Sequence, residues 1–316
     1  MQAAQPTRSS ALGRPSHAEY SSRDVKAFAT IEELEDALLR ASYLPDRGLA
    51  TALFLALRIR KALLLEGEAG VGKTEAAKAI ASCLGARLIR LQCYEGLDAA
   101  HAVYEWNYTR QLLHIRAAQD GHVSEDELFG AKFLIRRPLL EAITSPDPVV
   151  LLIDEIDRAD EEFEAFLLEL LSDFQITIPE IGPIRAQQRP VVVLTSNRTR
   201  ELHDALKRRC LFHWIGHPSL EREIEIVRLR VPGVPERLAA EAVAFVQGLR
   251  RLDLAKAPGV AETIDWAEAL AALGWRELDA ALVESTLGSV LKYHEDIELV
   301  RDEALVSLLA EDRAAR

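Results

Sequence analysis

Short apolar runs alternate with amphipathic stretches along the chain as far as residue 217. The apolar runs are KALLLEG ending at Gly67, LIRLQC at 88–93, VVLLID at 149–154 and VVVLTSN at 191–197. Continuous apolar runs of this length, bounded by polar residues, are typical of buried strands. Strands that alternate with helices predict a parallel sheet flanked by helices, which is an α/β fold.

The amphipathic stretches between these runs predict helices. IEELEDALLRA has helical spacing from Ile31, with Thr30 as its N-cap and Glu33 completing a capping box. RGLATALFLALRIR, RRPLLEAI and EEFEAFLLELL predict three more helices. Within the less regular segment 94–135, LLHIRAA is predicted to add a short strand. Further along, FQITIPEIGPIRAQQRP is predicted to form a β-hairpin with a Gly-Pro turn.

The pattern changes near residue 218, after which it is helical only. Pro218 and Ser219 are placed to open a new helix. The N-terminal residues are rich in Ser, Pro and Arg, which predicts a disordered tail. The predicted organisation is a tail at 1–29, an α/β core at 30–217 and a small all-α lid at 218–316, with an insert at about 94–120 and a hairpin at about 174–190 inside the core.

Composition and charge exclude several classes of protein. The 38 basic and 50 acidic residues give a formal net charge of −12, which repels phosphate backbones, so no nucleic-acid partner is expected. The three cysteines include no C-x-x-C pair, which favours a reducing, cytoplasmic location. No secretory signal and no integral membrane span is predicted, because basic residues interrupt the richest apolar stretch, 49–65.

The segment after the first apolar run matches the phosphate-binding pattern G-x-x-x-x-G-K-[ST] in full. Its glycines allow a tight turn that points backbone N–H groups at phosphate oxygens, and the helix that follows adds its positive end. Lys73 is predicted to bridge the β- and γ-phosphates, and Thr74 to bind Mg²⁺ through its hydroxyl. The predicted nucleotide-binding residues are Gly67, Glu68, Ala69, Gly70, Val71, Gly72, Lys73, Thr74 and Glu75.

Polar residues at the ends of later strands complete a candidate hydrolytic site. Asp154 is predicted to hold Mg²⁺ as well, and Glu155 to polarise the water that attacks the γ-phosphate. Asn197 is predicted to reach the γ-phosphate or that water, although asparagine at a strand end also commonly caps or turns the chain. Arg208 and Arg209, in ALKRRCLF, are candidates for a finger that enters a neighbouring subunit, or else form a basic helix terminus.

With these elements in order, the chain resembles an AAA+ ATPase over about residues 30–300, with Walker A at 67–74, Walker B at 149–155 and sensor 1 at Asn197. Within AAA+ it resembles the MoxR family. The aromatic segment at 94–119 matches that family's helix-2 insert, and FQITIPEIGPIRA matches its pre-sensor-1 hairpin. The stretches RLQCYEGLDAAHAVYEWNY, LLHIRAA and VAETIDWAEAL are similar to those of CoxD-like members.

This resemblance implies an Mg²⁺-dependent ATPase that binds ATP and assembles into a hexameric ring. It also implies chaperone-like remodelling or metal-cofactor maturation of a client enzyme. For the CoxD-like subgroup, the implied target is the molybdenum–copper site of a carbon monoxide dehydrogenase-type hydroxylase, and the implied partner carries a von Willebrand A domain. The chain departs from the family at Glu262, which stands near the place of the sensor-2 arginine, and no arginine occurs between Arg251 and Arg276.

Three alternatives share the nucleotide motifs. They are an AAA+ motor acting on nucleic acid, which the acidic charge disfavours, a small-molecule P-loop kinase, and a nucleotide-dependent interaction scaffold with little turnover. The aromatic residues of the insert also have two interpretations. Tyr104, Trp106 and Tyr108 are candidates for contact with a client, and local core packing explains them equally well.

Overall fold

The structure is a computed structural model that describes residues 28–118 and 124–314, so all but the last two residues of the predicted tail lie outside the described residues. The elements as far as the end of the central sheet are α1 (Ile31–Arg40), α2 (Arg47–Ile59), β1 (Ala62–Gly67), α3 (Lys73–Leu84), β2 (Arg87–Gln92), α4 (Ala99–Val103), β3 (Tyr104–Trp106), α5 (Tyr108–Ala117), α6 (Glu125–Leu128), β4 (Leu134–Arg136), α7 (Pro138–Thr144), β5 (Val149–Asp154), α8 (Glu161–Asp173), β6 (Gln175–Ile178), β7 (Gly182–Arg185), β8 (Val191–Ser196), α9 (Asp204–Lys207) and β9 (Cys210–Ile215). The helices that follow are α10 (Leu220–Arg230), α11 (Glu236–Leu249), α12 (Val260–Ala272), α13 (Ala280–Val290), α14 (His294–Leu299) and α15 (Leu305–Ala314).

Five parallel strands form the central sheet, in the order β2-β5-β8-β1-β9. The side chains of β5 alternate between two apolar clusters, with Leu151 and Ile153 on one side of the sheet and Val150 and Leu152 on the other. Every residue of this strand is buried, which explains why its sequence is a continuous apolar run instead of an alternating one. The parallel sheet and its flanking helices confirm the predicted α/β fold.

The first helix begins where the sequence predicts it. Thr30 Oγ1 accepts a hydrogen bond from Glu33 N at 3.2 Å and so satisfies one of the N–H groups left free in the first turn. The Glu33 carboxylate accepts from the N–H of Ala29 at 2.8 Å, one residue earlier than in a standard capping box. Leu34 and Leu38, on the buried face of α1, pack with α2 and α3 against one side of the sheet.

The insert differs from its prediction, because LLHIRAA belongs to α5 and adds no strand. Asn107 caps this helix by accepting a hydrogen bond from Arg110 N at 2.9 Å, and Gln111 Nε2 donates to Leu128 O at 2.7 Å. A short apolar run fits either a strand or a helix, and here the cap and the tertiary hydrogen bond select the helix. The short strands nearby are β3 and β4, which pair antiparallel. Residues 119–123, at the end of the predicted insert, lie outside the described residues.

The three aromatic residues of this region divide between packing and exposure. Trp106 is buried and makes edge-to-face contacts with Phe129, at 5.1 Å between ring centroids, and with Tyr104, at 5.9 Å. Tyr104 is half-buried, whereas Tyr108 at the start of α5 is 63% exposed. Local packing therefore accounts for Trp106, while the ring of Tyr108 is accessible.

Strands β6 and β7 form the predicted hairpin, but the prediction of a Gly-Pro turn is wrong. Ile178 pairs with Gly182 and Thr177 with Pro183, so the turn lies at 179–181. Pro183 has no N–H for the ladder and is tolerated because a two-stranded ribbon leaves one edge of each strand unpaired. Gly182, with φ +89°, supplies the left-handed backbone where the chain re-enters the ladder.

The described chain after β9 is helical, as the sequence predicts, and we call α10–α15 the lid. Ser219 caps its first helix by accepting a hydrogen bond from Arg222 N at 3.4 Å. The lid has an apolar core of its own, in which Trp266 and Phe245 are fully buried. The division of the chain into domains at residue 218 stays a prediction. None of the described helices is long and apolar enough to cross a membrane.

Candidate functional site

The loop between β1 and α3 makes close backbone contacts that only glycine permits. A Cβ at Gly67 would lie 2.1 Å from the carbonyl oxygen of Ile215, the last residue of β9. Gly70 has φ +77°, and a Cβ there would lie 2.9 Å from Glu262 Oε2 and 3.1 Å from Gly259 Cα. Close approach therefore requires glycine at both positions, and the backbone conformation also requires it at Gly70.

Lys73 is the first residue of α3, and its ammonium group lies over the loop. Its Nζ donates hydrogen bonds to the carbonyl oxygens of Gly67 at 2.8 Å and Glu68 at 2.6 Å. Burial lowers the pKa of Lys73, while the carboxylates of Asp157 and Asp154 act in the opposite direction. A buried amine at the N-terminus of a helix is well placed to bind phosphate.

Asp154, at the end of β5, is buried and accepts hydrogen bonds from three side chains. Thr74 Oγ1 lies 3.0 and 3.2 Å from its two carboxylate oxygens, Thr195 Oγ1 donates to Oδ1, and Arg90 Nε donates to Oδ2 at 2.8 Å. The hydroxyl of Thr74 beside this carboxylate fits Mg²⁺, which prefers hard oxygen ligands. Among the described residues, no cluster of three or more His, Cys, Asp or Glu side chains is arranged to hold a metal.

Glu155 has a left-handed backbone conformation, with φ 54° and ψ 50°, which is uncommon for a residue other than glycine. Its N–H donates to Thr195 Oγ1 at 2.9 Å, so one hydroxyl on β8 joins the backbone of Glu155 to the carboxylate of Asp154. The Glu155 carboxylate pairs with Arg158 Nε at 3.0 Å, and both side chains are partly exposed. Strand β8 therefore fixes the backbone of Glu155, while the exposed Arg158 is the partner of its carboxylate among the described residues.

Asn197 directly follows β8, and its backbone is anchored by Asp157. The buried Asp157 carboxylate accepts hydrogen bonds from Asn197 N at 3.2 Å, Thr199 N at 2.9 Å and Thr199 Oγ1 at 2.7 Å. These bonds join the turn after β5 to the turn after β8. Because the two strands are adjacent and parallel, Glu155 and Asn197 lie at the same edge of the sheet.

A cavity of 650 Å³ lies between this edge of the sheet and the lid. Its walls come from the loop before α3, the ends of β5 and β8, the segment before α2, and the lid helices α10 and α12. The predicted site residues that line it are Ala69, Gly70, Val71, Gly72, Lys73, Thr74, Glu75, Asp154, Glu155 and Asn197. Gly67 and Glu68 lie just before this stretch, and their carbonyl groups bind Lys73. The individual roles of these residues stay predictions.

The lid meets the loop at the N-terminus of α12. Ala261 N donates to Gly70 O at 3.1 Å. Glu262 accepts a hydrogen bond from Gly259 N at 2.9 Å and so caps its own helix, and it is absent from the described lining of the cavity. The residue near the expected place of a lid arginine is therefore a helix cap.

Arg208 and Arg209 lie between α9 and β9, and neither belongs to the described lining of the cavity. Arg209 is held within its own chain, because its Nε donates to Ser172 Oγ at 2.6 Å and its Nη1 donates to Ala205 O at 2.9 Å. Arg208 is exposed, and its side chain has no hydrogen bond or ion pair with the described residues. The structure thus distinguishes two arginines that the sequence leaves equivalent.

Sequence reasoning missed three residues of the site, namely Arg90, Thr195 and Asp157. Each contacts a site residue from another strand or turn, so the partners are far apart in the chain. A partial signal exists for Thr195 and Asp157, because a polar side chain in or next to a buried apolar strand requires a hydrogen-bonding partner. The sequence gives no such signal for Arg90, which lies on the edge strand β2. An arginine on an edge strand is equally well explained as a solvent-exposed residue.

The chain is similar to several curated proteins over part of their length. It is 30% identical over 173 residues to the chaperone protein ClpB of Lactococcus lactis subsp. cremoris, covering 53% of this chain and 16% of that protein. It is 28% identical over 231 residues to ClpB of Rhodopirellula baltica, covering 64% and 23% respectively. It is 26% identical over 239 residues to spastin of Dictyostelium discoideum, covering 71% and 31%. The chain therefore spans less than a third of the length of these relatives.

Among solved structures, the chain is similar to the RuvB Holliday junction branch migration motor of Thermotoga maritima. The identity is 18%, the match covers 83% of this chain and 72% of that chain, and the TM-score is 0.44. Residues 63–215 match the family model described as ATPase family associated with various cellular activities (AAA). That segment runs from β1 to the end of β9. The chain therefore contains an AAA ATPase domain, which uses ATP and Mg²⁺.

Proposed function

We propose that this chain is a MoxR-type AAA+ ATPase that couples ATP hydrolysis to the remodelling, or metal-cofactor maturation, of a client enzyme. The observation that carries the hydrolytic part is the presence of Lys73, Thr74, Asp154, Glu155 and Asn197 around one cavity bordered by the lid. A cavity between a sheet edge and a helical region suits a switch in which contacts to the γ-phosphate move the lid. The proposed output is thus a movement that depends on the state of the nucleotide.

The loop before α3 and the first turn of α3 bind the phosphates. In this proposal Lys73 exchanges its two carbonyl partners for phosphate oxygens, which are stronger acceptors because they are charged. Thr74 and Asp154 would hold Mg²⁺, which would neutralise negative charge at the phosphates. Arg90 and Thr195 orient the Asp154 carboxylate through their hydrogen bonds.

Glu155 acts as the general base, and Asn197 orients the attacking water. In the structure Glu155 pairs with Arg158, three residues on, and an exposed pair of this kind contributes about 0–1 kcal/mol. General base catalysis typically contributes 10²–10⁴-fold, which corresponds to about 3–5 kcal/mol of the barrier. Exchange of Arg158 for a water molecule is therefore a small cost against the catalytic gain.

The arginine finger of this proposal is Arg208, because it is exposed and unpaired among the described residues while Arg209 is engaged. A finger supplied by a neighbouring subunit is worth about 10³–10⁵ in turnover. Arg208→Ala should therefore hydrolyse ATP at least ~10³-fold more slowly than the wild type while still binding it. Arg209→Ala, measured alongside, should retain far more activity.

A mixing experiment tests whether the site is shared between subunits. Arg208→Ala leaves an intact phosphate loop without a finger for its neighbour, and Lys73→Ala leaves an intact finger beside a defective loop. Each variant alone should be inactive, and the mixture should recover part of the turnover, because Lys73→Ala subunits supply Arg208 to functional loops. A mixture that stays inactive although mixed rings form contradicts the shared site.

The proposed assembly and client rest on the resemblance of the insert and hairpin to those of CoxD-like MoxR proteins. We place the chain in a hexameric ring with a von Willebrand A domain partner and a molybdenum–copper hydroxylase of the carbon monoxide dehydrogenase type as client. The exposed ring of Tyr108 in α5 supports a role of the insert in client contact.

The test uses Glu155→Gln loaded with ATP and Mg²⁺, which should form a long-lived complex with the purified partner and the immature hydroxylase. Light scattering should give the mass of six chains before the client is added. A stable complex that needs ATP and disappears with Lys73→Ala supports the proposal. Turnover stimulated by DNA would favour a nucleic-acid motor, transfer of phosphate to an acceptor would favour a kinase, and client maturation undiminished in Glu155→Gln would favour a scaffold.

A further inference from the structure

Two arginines of the lid line the nucleotide cavity, and both come from α10. Among the described residues of the lid that line it, Arg222 and Arg230 are the ones with a permanent positive charge. Arg222 Nη2 donates to the backbone carbonyl of Leu44 at 3.1 Å, in the segment before α2. Arg230 Nη1 pairs with Glu75 Oε2 at 3.0 Å. The second pair joins the lid to the helix that carries the phosphate loop.

Glu75 lies at a position where a bound nucleotide would compete with it. It directly follows Thr74 in the first turn of α3, and it lines the cavity. The N-terminus of this helix attracts any anion, so the Glu75 carboxylate and the phosphates of a nucleotide favour the same region and repel each other. When a phosphate chain is bound there, it is therefore less favourable for Arg230 to pair with the Glu75 carboxylate alone.

The Arg230–Glu75 pair is built so that it can be exchanged. Its side chains are 36% and 35% exposed, and ion pairs with this exposure contribute little to stability. Glu75 also pairs through Oε1 with Lys78 Nζ at 2.6 Å, so the carboxylate keeps a cation when Arg230 leaves. Phosphate offers Arg230 a more highly charged acceptor that matches the fork of the guanidinium. Exchange of Glu75 for phosphate thus loses a weak pair and gains a strong one.

The other lid helix at the cavity offers no cation for this task. In α12, Ala261 contacts Gly70 through its backbone N–H, Glu262 caps the helix, and Asp265, which lines the cavity, is acidic. Arg222 has a backbone carbonyl as its partner, which a nucleotide does not repel. Among these lid residues, Arg230 is therefore the cation whose present ion pair becomes less favourable when phosphate binds.

We propose that Arg230 is the phosphate-sensing residue of the lid: it exchanges the Glu75 carboxylate for the phosphates of bound ATP and thereby draws α10 toward the loop. This inference rests on the proposed ATP-dependent function of the same cavity, and it assigns the residue that couples nucleotide to lid. In this proposal Arg230 contacts the bound phosphates directly and leaves the attacking water to Glu155 and Asn197.

The test compares binding of a fluorescent ATP analogue and the matching ADP analogue by the full chain with Mg²⁺ present. Arg230→Ala should weaken binding of the ATP analogue about 10-fold, and that of ADP less, because ADP carries less charge. Arg230→Lys should recover part of the loss. The control is Arg228→Ala, on the same helix, which removes an exposed pair with Glu236 and should bind both nucleotides like the wild type.

The Glu75→Gln variant distinguishes two roles of Arg230. In one role Arg230 senses the bound phosphate, and in the other its pair with Glu75 only holds the lid against α3. If Arg230 senses phosphate, this variant frees it from a competing carboxylate, so the ATP analogue should bind about 2–5-fold more tightly. If the pair only clamps the lid, Glu75→Gln and Arg230→Ala remove the same clamp and should change affinity in the same direction. Changes of the same sign, or an Arg230→Ala variant that binds ATP as the wild type does, would overturn the inference. In that second case Lys73→Ala must still weaken binding of the ATP analogue by about 10²-fold or more, and the proposed ATP-dependent function then stands. A wild type that binds no nucleotide would overturn both.

Discussion

Replacement of Arg250 by methionine should destabilise the lid strongly, because it leaves a buried carboxylate without its charged partner. The Glu223 side chain is 0% exposed and that of Arg250 is 10% exposed, and the guanidinium reaches both carboxylate oxygens at 2.7 Å. Without it, the donors left to the Glu223 carboxylate within the described part of the chain are neutral: Thr263 Oγ1 at 2.8 Å and Gln247 Nε2 at 3.1 Å. Removal of one partner from a buried ion pair costs about 3–5 kcal/mol, so Arg250→Met should lose an amount in this range.

The assay is urea denaturation followed by tryptophan fluorescence, in which Trp266 reports on the lid because it is buried in the lid core. Arg228→Met is the matched control: it breaks an exposed pair with Glu236 and should cost about 0–1 kcal/mol. The double variant Glu223→Leu/Arg250→Met removes both buried charges and should regain much of the lost stability. A loss below about 1 kcal/mol for Arg250→Met, or a double variant as unstable as the single one, would refute this reasoning.

Three further predictions concern the cavity. Lys73→Ala should weaken ATP binding by about 10²-fold or more, since it removes charge-assisted bonds of about 1.5–3 kcal/mol each to phosphate, and unchanged binding of a fluorescent ATP analogue would contradict its role. Thr195→Val should lower the free energy of unfolding by about 1–3 kcal/mol and lower kcat more than it weakens ATP binding, because Glu155 N and Asp154 lose a shared partner; a kcat equal to that of the wild type would show that the hydroxyl is dispensable. Chelation of Mg²⁺ should abolish turnover, and Asp154→Asn should need more Mg²⁺ for half-maximal turnover, so an Mg²⁺ titration that superimposes on that of the wild type would exclude Asp154 as a metal ligand.

The parts of the site that are local in the chain are predictable from the sequence. The phosphate loop occupies one continuous segment, in which glycine is required on steric grounds. The structure shows why Gly67 is required: the carbonyl group of Ile215 leaves no room for a Cβ. Asp154 and Glu155 follow a buried strand, so their place at the sheet edge follows once the strand is recognised. The fold class is predictable for the same reason, because strands buried on both faces are continuous apolar runs.

Contacts between distant segments are not predictable in this way. Arg90 and Thr195 meet Asp154 only because β2, β5 and β8 are neighbours in the sheet, an order that the chain does not show. The choice between Arg208 and Arg209 depends on Ser172, at the end of another helix. The helix α5 was mispredicted because its apolar run is short and its hydrogen bond to Leu128 comes from outside the run.

The central claim is that Glu155 makes this nucleotide site hydrolytic. The most direct test is steady-state ATP turnover, measured together with ATP affinity, for the wild type, for Glu155→Gln and for Glu162→Gln, which changes an exposed carboxylate on α8. Loss of a general base should lower kcat of Glu155→Gln by about 10²–10⁴-fold while ATP affinity stays within a few-fold of the wild type, and Glu162→Gln should change neither. A Glu155→Gln variant that hydrolyses ATP at the rate of the wild type would contradict the account.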